Sequence, residues 1–131
     1  MNIALLAHDR KKELMVQFCI AYCGILAGHK VCATNTTGKL VAEATGLPVS
    51  LYLSCSQGGN QQIGARIAYN EIDLALFFAD PKETNKDIDD IARLCDQYNV
   101  PFASNVATAE VLIRGLQRGD LDWRDIVNPK K

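Results

Sequence analysis

From one end of this chain to the other, short apolar runs that read as strands alternate with stretches whose apolar side chains recur at helical spacing. That alternation is the mark of an α/β fold, because a helix between two strands returns the chain to begin the next strand in the same direction. Strands are predicted over Asn2 to Ala7, Lys30 to Thr34, Val49 to Leu53, Ile72 to Phe78 and Pro101 to Ser104. Their continuous apolarity suits parallel strands covered on both faces. Helices are predicted over Arg10 to Ala27, Gly38 to Thr45, Gln61 to Asn70, Asp87 to Tyr98 and Ala107 to Gln117. The expected fold is one α/β domain over residues 1–131, with a mostly parallel five-stranded sheet flanked by helices.

Composition narrows the class. With 48% hydrophobic and 22% charged residues the 131-residue chain can bury a real core, which excludes wholesale disorder. Fourteen basic against fifteen acidic side chains, with no block of like charge beyond Lys130-Lys131, give no electrostatic footprint for nucleic acid. The longest apolar stretch, Leu14 to His29, is interrupted by Gln17, Gly24 and Gly28 and falls short of the about 18 residues of a membrane span. No basic start or cleavage site precedes the first strand, so the cytoplasm is the expected location. The five cysteines, Cys19, Cys23, Cys32, Cys55 and Cys95, form an odd set without a CxxC pair and read as small buried hydrophobes. Cys19 and Cys23 lie four apart on one helix face, but no clustered histidines or carboxylates complete a metal site.

Two helices differ in character. In the fourth, Ile88, Ile91, Ala92, Cys95 and Tyr98 form an apolar stripe opposite Asp89, Asp90, Arg93 and Asp96, as on a surface helix. The first leaves little polar face, which predicts burial on two sides, in part against another subunit. The tail, with Leu121, Trp123, Ile126 and Val127, is expected to pack back on the body.

In an open parallel sheet ligands bind beyond the carboxyl ends of the strands. Polar loops follow four of the predicted strands: His8 to Lys12, Asn35 to Gly38, Ser54 to Asn60, and Asp80-Pro81. Thr34, Thr36, Thr37 and Gly38 sit at a strand-to-helix turn, where free N–H groups favour an anion; the alternative is that Thr36 or Thr37 only caps the helix. Lys12, one turn into the first helix, can add a point charge. His8 closes an apolar strand and can point into the crevice as a proton donor, while Asp9 is expected to cap the first helix. Gly58 and Gly59 allow close backbone approach to a ligand in a loop otherwise rich in hydroxyls.

Taken together, these residues resemble the methylglyoxal synthase family over nearly the whole chain. The matching stretches are Ile3-Ala4-Leu5-Leu6-Ala7-His8-Asp9 with Lys12, and Ala33-Thr34 with Thr36-Thr37-Gly38. Further along, Gly58-Gly59 with Gln61-Gln62-Ile63-Gly64-Ala65, and Asn105-Val106-Ala107-Thr108-Ala109, match as well. The resemblance implies a Rossmann-like three-layer domain, assembled as a homohexamer, that converts dihydroxyacetone phosphate to methylglyoxal and inorganic phosphate without metal or organic cofactor. It assigns Lys12, Thr34, Thr36, Thr37 and Ser54 to the phosphate and its surroundings, His8 to the carbonyl oxygen, and Asp87 to a second active-site aspartate, with a carboxylate that only serves the helix N-terminus as the alternative for Asp87. Gly38, Cys55 and Gly59 belong to the same binding set.

The chain also departs from that pattern. Asn60 stands where the family has its catalytic aspartate, and a neutral amide cannot take a proton from carbon. Ser54-Cys55-Ser56 replaces a Ser-Gly-Pro, Asn35 replaces a glycine, and Thr84 or a neighbour stands where a histidine is expected. An arginine near the family's C-terminus has no certain counterpart. Asp87 is the best substitute base among Asp9, Asp80 and Asp87. The sequence therefore supports an impaired lyase of this type. The alternatives are a non-catalytic member that binds phosphate or a phosphorylated metabolite, and an enzyme on another phosphorylated substrate with Cys55-Ser56 as the altered surface. Cys55 as a new nucleophile is a further option, and a passive substitution is its alternative.

Overall fold

A computed structural model of the chain describes residues 1–83 and 86–127, with only the backbone at Cys55; Thr84 and the Lys130-Lys131 pair lie outside the described residues. Strands β1 (Asn2–Ala7), β2 (Lys30–Thr34), β3 (Val49–Tyr52), β4 (Leu74–Phe78) and β5 (Phe102–Ala103) form one sheet in the order β3-β2-β1-β4-β5, with every pair parallel. The helices are α1 (Lys12–Ala21), α2 (Cys23–Leu26), α3 (Asn35–Thr45), α4 (Gly59–Ala68), α5 (Lys86–Tyr98), α6 (Val106–Arg118) and α7 (Trp123–Val127).

Side chains alternate across the pleat and build two cores. Ile3, Leu5 and Ala7 of β1 join Met15 and Phe18 of α1, Val41 of α3 and Ile113 of α6 on one face. Ala4 and Leu6 join Ile63 and Ile67 of α4 with Ile91 and Cys95 of α5 on the other. This is the three-layer α/β architecture expected, with the apolar stripe of α5 inward and Asp89, Asp90, Arg93 and Asp96 exposed. Buried Cys19, Cys32 and Cys95 are small core hydrophobes, and burial pushes their thiols up to about 12, 11 and 12. No helix among the described residues is long and apolar enough to cross a membrane.

Several boundaries differ from expectation. The first predicted helix is broken: a 3-10 turn over Asp9–Lys11 precedes α1, and Tyr22 leaves helical geometry before α2. Gly24 and Gly28, poor helix formers, lie just beyond that break. Helix α3 begins at Asn35 rather than Gly38, so Thr36 and Thr37 are in its first turn and neither is its cap. Asp9 is not a cap either: it lies inside the 3-10 turn that His8 precedes, Lys11 precedes α1, and the Asp9 carboxylate turns to Lys12. Asn105 does cap α6, its Oδ1 accepting from Thr108 N at 2.9 Å.

The tail packs back through a residue of unexpected type. Leu121 is buried, but Trp123, Ile126 and Val127 are exposed, and the anchor is Arg124, which is wholly buried. Its guanidinium pairs with buried Asp73 at 3.2 Å and donates to Asn70 Oδ1, Asn99 O and Ile72 O. Asp73 also accepts from Asn2 N at 2.9 Å, so the start of β1, the approach to β4 and α7 are tied together at the end of the sheet remote from the strands' carboxyl ends. The apolar α1 is only half covered, with Ile20 exposed to solvent.

Candidate functional site

After β3 the chain crosses to the far side of β1 to form β4, so the strand order reverses beside β1. A crevice opens at such a point beyond the carboxyl ends of the strands. Here it is a cavity of about 360 Å³ lined by Ala7, His8 and Asp9 after β1, with Thr34 and Thr36 after β2. Ser54 and Ser56 line it after β3, Phe77 comes from β4, and Lys12, Asn60 and Asp87 come from the starts of three helices.

The loop into α4 explains two glycines. Gly58 adopts φ +99°, and a Cβ on Gly59 would lie 1.8 Å from the carbonyl oxygen of Leu53. Gly59 N donates to Ser54 O at 2.9 Å and the Gln62 side chain accepts from Leu53 N at 2.8 Å, so the start of α4 is clamped onto the end of β3. That clamp places Asn60 in the first turn of α4, where its Nδ2 donates to Asp87 Oδ2 at 2.8 Å. Ser54 and Ser56 hydroxyls stand 3.2 Å apart on the facing loop.

His8 is buried at the end of β1, its ring packed edge-on to Phe77. Its Nδ1 accepts from Asp80 N at 2.8 Å, so the neutral ring carries its proton on Nε2. Nε2 and the hydroxyl of Thr37 are the buried side-chain polar atoms without a hydrogen-bond partner among the described residues. A buried donor costs free energy unless something accepts from it, so Nε2 of His8, a residue of the cavity wall, marks a place for a ligand. Lys12 brings the cationic charge to the cavity wall and bonds to Asp9, whose carboxyl it holds below the usual carboxylate range, by hydrogen bond first and charge second.

Of the residues singled out in the sequence, His8, Lys12, Thr34, Thr36, Ser54, Asn60 and Asp87 come together around this cavity. Thr37, Gly38 and Gly59 are buried behind it: Gly38 leaves the room that the Leu51 side chain fills, and Gly59 makes the close approach to Leu53. The side chain of Cys55 lies outside the described residues, so its roles as nucleophile or as altered surface are not placed. Of the candidate carboxylates, Asp87 and Asp9 both line the cavity, Asp87 beside Asn60 and Asp9 bonded to Lys12, while Asp80 accepts from Lys82 N and anchors a turn. Phe77 was not foreseen as lining; an apolar residue near a strand's carboxyl end was its one signal. Among the described residues no group of three or more His, Cys, Asp or Glu side chains is arranged to hold a metal ion.

Known proteins share this sequence and this fold. A family model described as an MGS-like domain matches residues 15–104. A methylglyoxal synthase of Caldicellulosiruptor saccharolyticus is 58% identical over 99% of this chain and 94% of its own length. That of Geobacillus thermodenitrificans is 55% identical over 98% and 91%. This chain belongs to the methylglyoxal synthase family. The crystal structure of methylglyoxal synthase from Elizabethkingia anophelis superposes with a TM-score of 0.81 at 40% identity, covering 86% of this chain and 76% of that one. Membership accounts for the Rossmann-like fold and for a polar cavity at the switch in strand order. The pair at the cavity wall is an amide and a carboxylate.

Proposed function

We propose that this cavity binds dihydroxyacetone phosphate and eliminates inorganic phosphate from it to leave methylglyoxal, with Asp87 as the base and at a reduced rate. The observation that carries this reading is the Asn60–Asp87 pair: one carboxylate, oriented by an amide, on the wall of the cavity that also holds His8. The phosphate dianion is held by Lys12, the hydroxyls of Thr34, Thr36 and Ser54, and the free N–H groups at the start of α3, with Thr37 buried behind them. The substrate carbonyl oxygen accepts from His8 Nε2. Asp87 takes the proton from the hydroxymethyl carbon beside the carbonyl, and the C–H electron pair moves to form the enediolate, whose oxygen charge the Nε2–H stabilises. The C–O bond to phosphate then breaks as the terminal hydroxyl becomes an aldehyde and its proton leaves with the phosphate, which takes the electron pair; the enolate that remains takes the proton held by Asp87 at its methylene carbon and becomes methylglyoxal. No metal or organic cofactor takes part. A displaced base costs a large share of the roughly 10²–10⁴ that general-base catalysis contributes.

The neutral amide at Asn60 favours a second reading, a member of the family that binds phosphate or a phosphorylated metabolite without turnover. Titration of the protein with phosphate and with dihydroxyacetone phosphate, followed by assay of phosphate release, separates the two. Slow release that disappears in Asp87→Asn supports the lyase; tight binding with no release supports the binding protein.

The proposal extends to the whole particle: one domain over residues 1–131, cytoplasmic, bound to neither nucleic acid nor membrane, and assembled as a homo-oligomer, a hexamer by resemblance. Leu40, Leu51 and Leu53 support the assembly, since they are 39%, 45% and 47% exposed on α3 and around the open edge strand β3.

A further inference from the structure

One turn holds the His8 ring from both sides. Asp80 N donates to His8 Nδ1 at 2.8 Å, and Glu83 N donates back to Asp80 O at 3.0 Å. The chain thus curls round so that Glu83 Oε2 stands 3.4 Å from His8 Nε2. That approach is within ion-pair range yet makes no hydrogen bond, since Nε2 has no hydrogen-bond partner among the described residues. The Glu83 side chain is 39% exposed, whereas that of His8 is 5% exposed, so the carboxylate can move toward water and the ring cannot follow.

We propose that Glu83 is a specificity-determining residue of the cavity: its carboxylate stands beside the N–H that a carbonyl oxygen must reach, and so sets the preference between a bare phosphate and a phosphorylated ketone. The proposal rests on the reading of the cavity as a phosphoketone site. An oxygen accepting from Nε2 enters the same small space as Oε2, and two electron-rich oxygens repel unless one withdraws. A ketone phosphate therefore has to send Glu83 toward solvent. Inorganic phosphate on Lys12 and the threonines makes no demand on Nε2 and meets no such penalty.

The test compares the full chain with Glu83→Gln, which removes the charge, and with Glu83→Ala, which adds no new hydrogen bond. Calorimetric titration uses inorganic phosphate, glycerol 3-phosphate, which lacks the carbonyl, and dihydroxyacetone phosphate. Removing a partly exposed charge is expected to lower the Kd for dihydroxyacetone phosphate about threefold in both variants and to leave the other two unchanged. An unchanged ratio of the ketone and phosphate constants, or weaker ketone binding by Glu83→Ala, overturns the proposal. Phosphate release is read separately. If the ketone binds more tightly to the variants but no protein releases phosphate, the lyase reading fails and the role of Glu83 stands; if no protein binds the ketone, both fail.

Discussion

The Asn60 side chain donates to the Asp87 carboxylate across 2.8 Å, and this bond defines what the cavity wall can do. An amide at that place gives the carboxylate a hydrogen-bond donor and brings no charge of its own. A carboxylate there would compete with it, because two like charges in hydrogen-bond contact cannot both ionise freely.

Asn60→Asp is therefore expected to change both rate and titration. A second carboxylate should raise phosphate release from dihydroxyacetone phosphate by about 10²–10⁴, the range of general-base catalysis. The pair should then share a proton and titrate in two steps, the upper one above the ordinary carboxylate range. The pH–rate profile of the variant should show that upper step, and a profile identical in shape and height to the parent's would count against the assignment.

Asp9 reports on Lys12. Its carboxyl is held below 3.8, first by the hydrogen bond from Lys12 and then by the lysine's charge. A depressed folded-state value means the pair's contribution is present above the unfolded value and is lost as pH falls through the lowered one. Lys12→Met should move the Asp9 titration, followed by carboxyl NMR, upward toward the ordinary carboxylate range. Saturating phosphate, by drawing Lys12 away, should move it in the same direction.

Gly59 and Gly24 should respond in opposite ways to alanine. At Gly59 the new Cβ meets the Leu53 carbonyl oxygen at 1.8 Å, so the clamp between β3 and α4 must open. A loss of about 3 kcal/mol is expected by denaturant titration, with phosphate binding lost as well. At Gly24, within helix α2 and with nothing inside 4 Å, alanine should stabilise by about 0.5 kcal/mol.

Arg124→Met should destabilise the fold by about 3–5 kcal/mol, because it leaves Asp73 charged, buried and without its cation. Pairing it with Asp73→Asn should cost less than the two single changes added together, since each single change strands the other's partner. Phosphate affinity of the folded fraction should be unchanged, as this cluster lies at the opposite end of the strands from the cavity.

Much of this protein is decided by local chemistry. The bounds of β1 and β2, the inward stripe of α5 and the cap at Asn105 follow from apolar runs, helical spacing and one side chain reaching its own backbone. The convergence of His8, Lys12, Thr34, Ser54 and Asn60 was also legible, because a parallel sheet sends every strand-end loop to the same rim. What the sequence left open depends on contacts between residues far apart in the chain. That Asn60 leans on Asp87, that Asp80 selects the His8 tautomer while Glu83 approaches its other nitrogen, and that a buried Arg124 rather than Ile126 fastens the tail are such cases. Pattern and propensity act over a turn or a strand, whereas hydrogen bonds and ion pairs across more than 20 residues exist only once the sheet has set the distance between their partners.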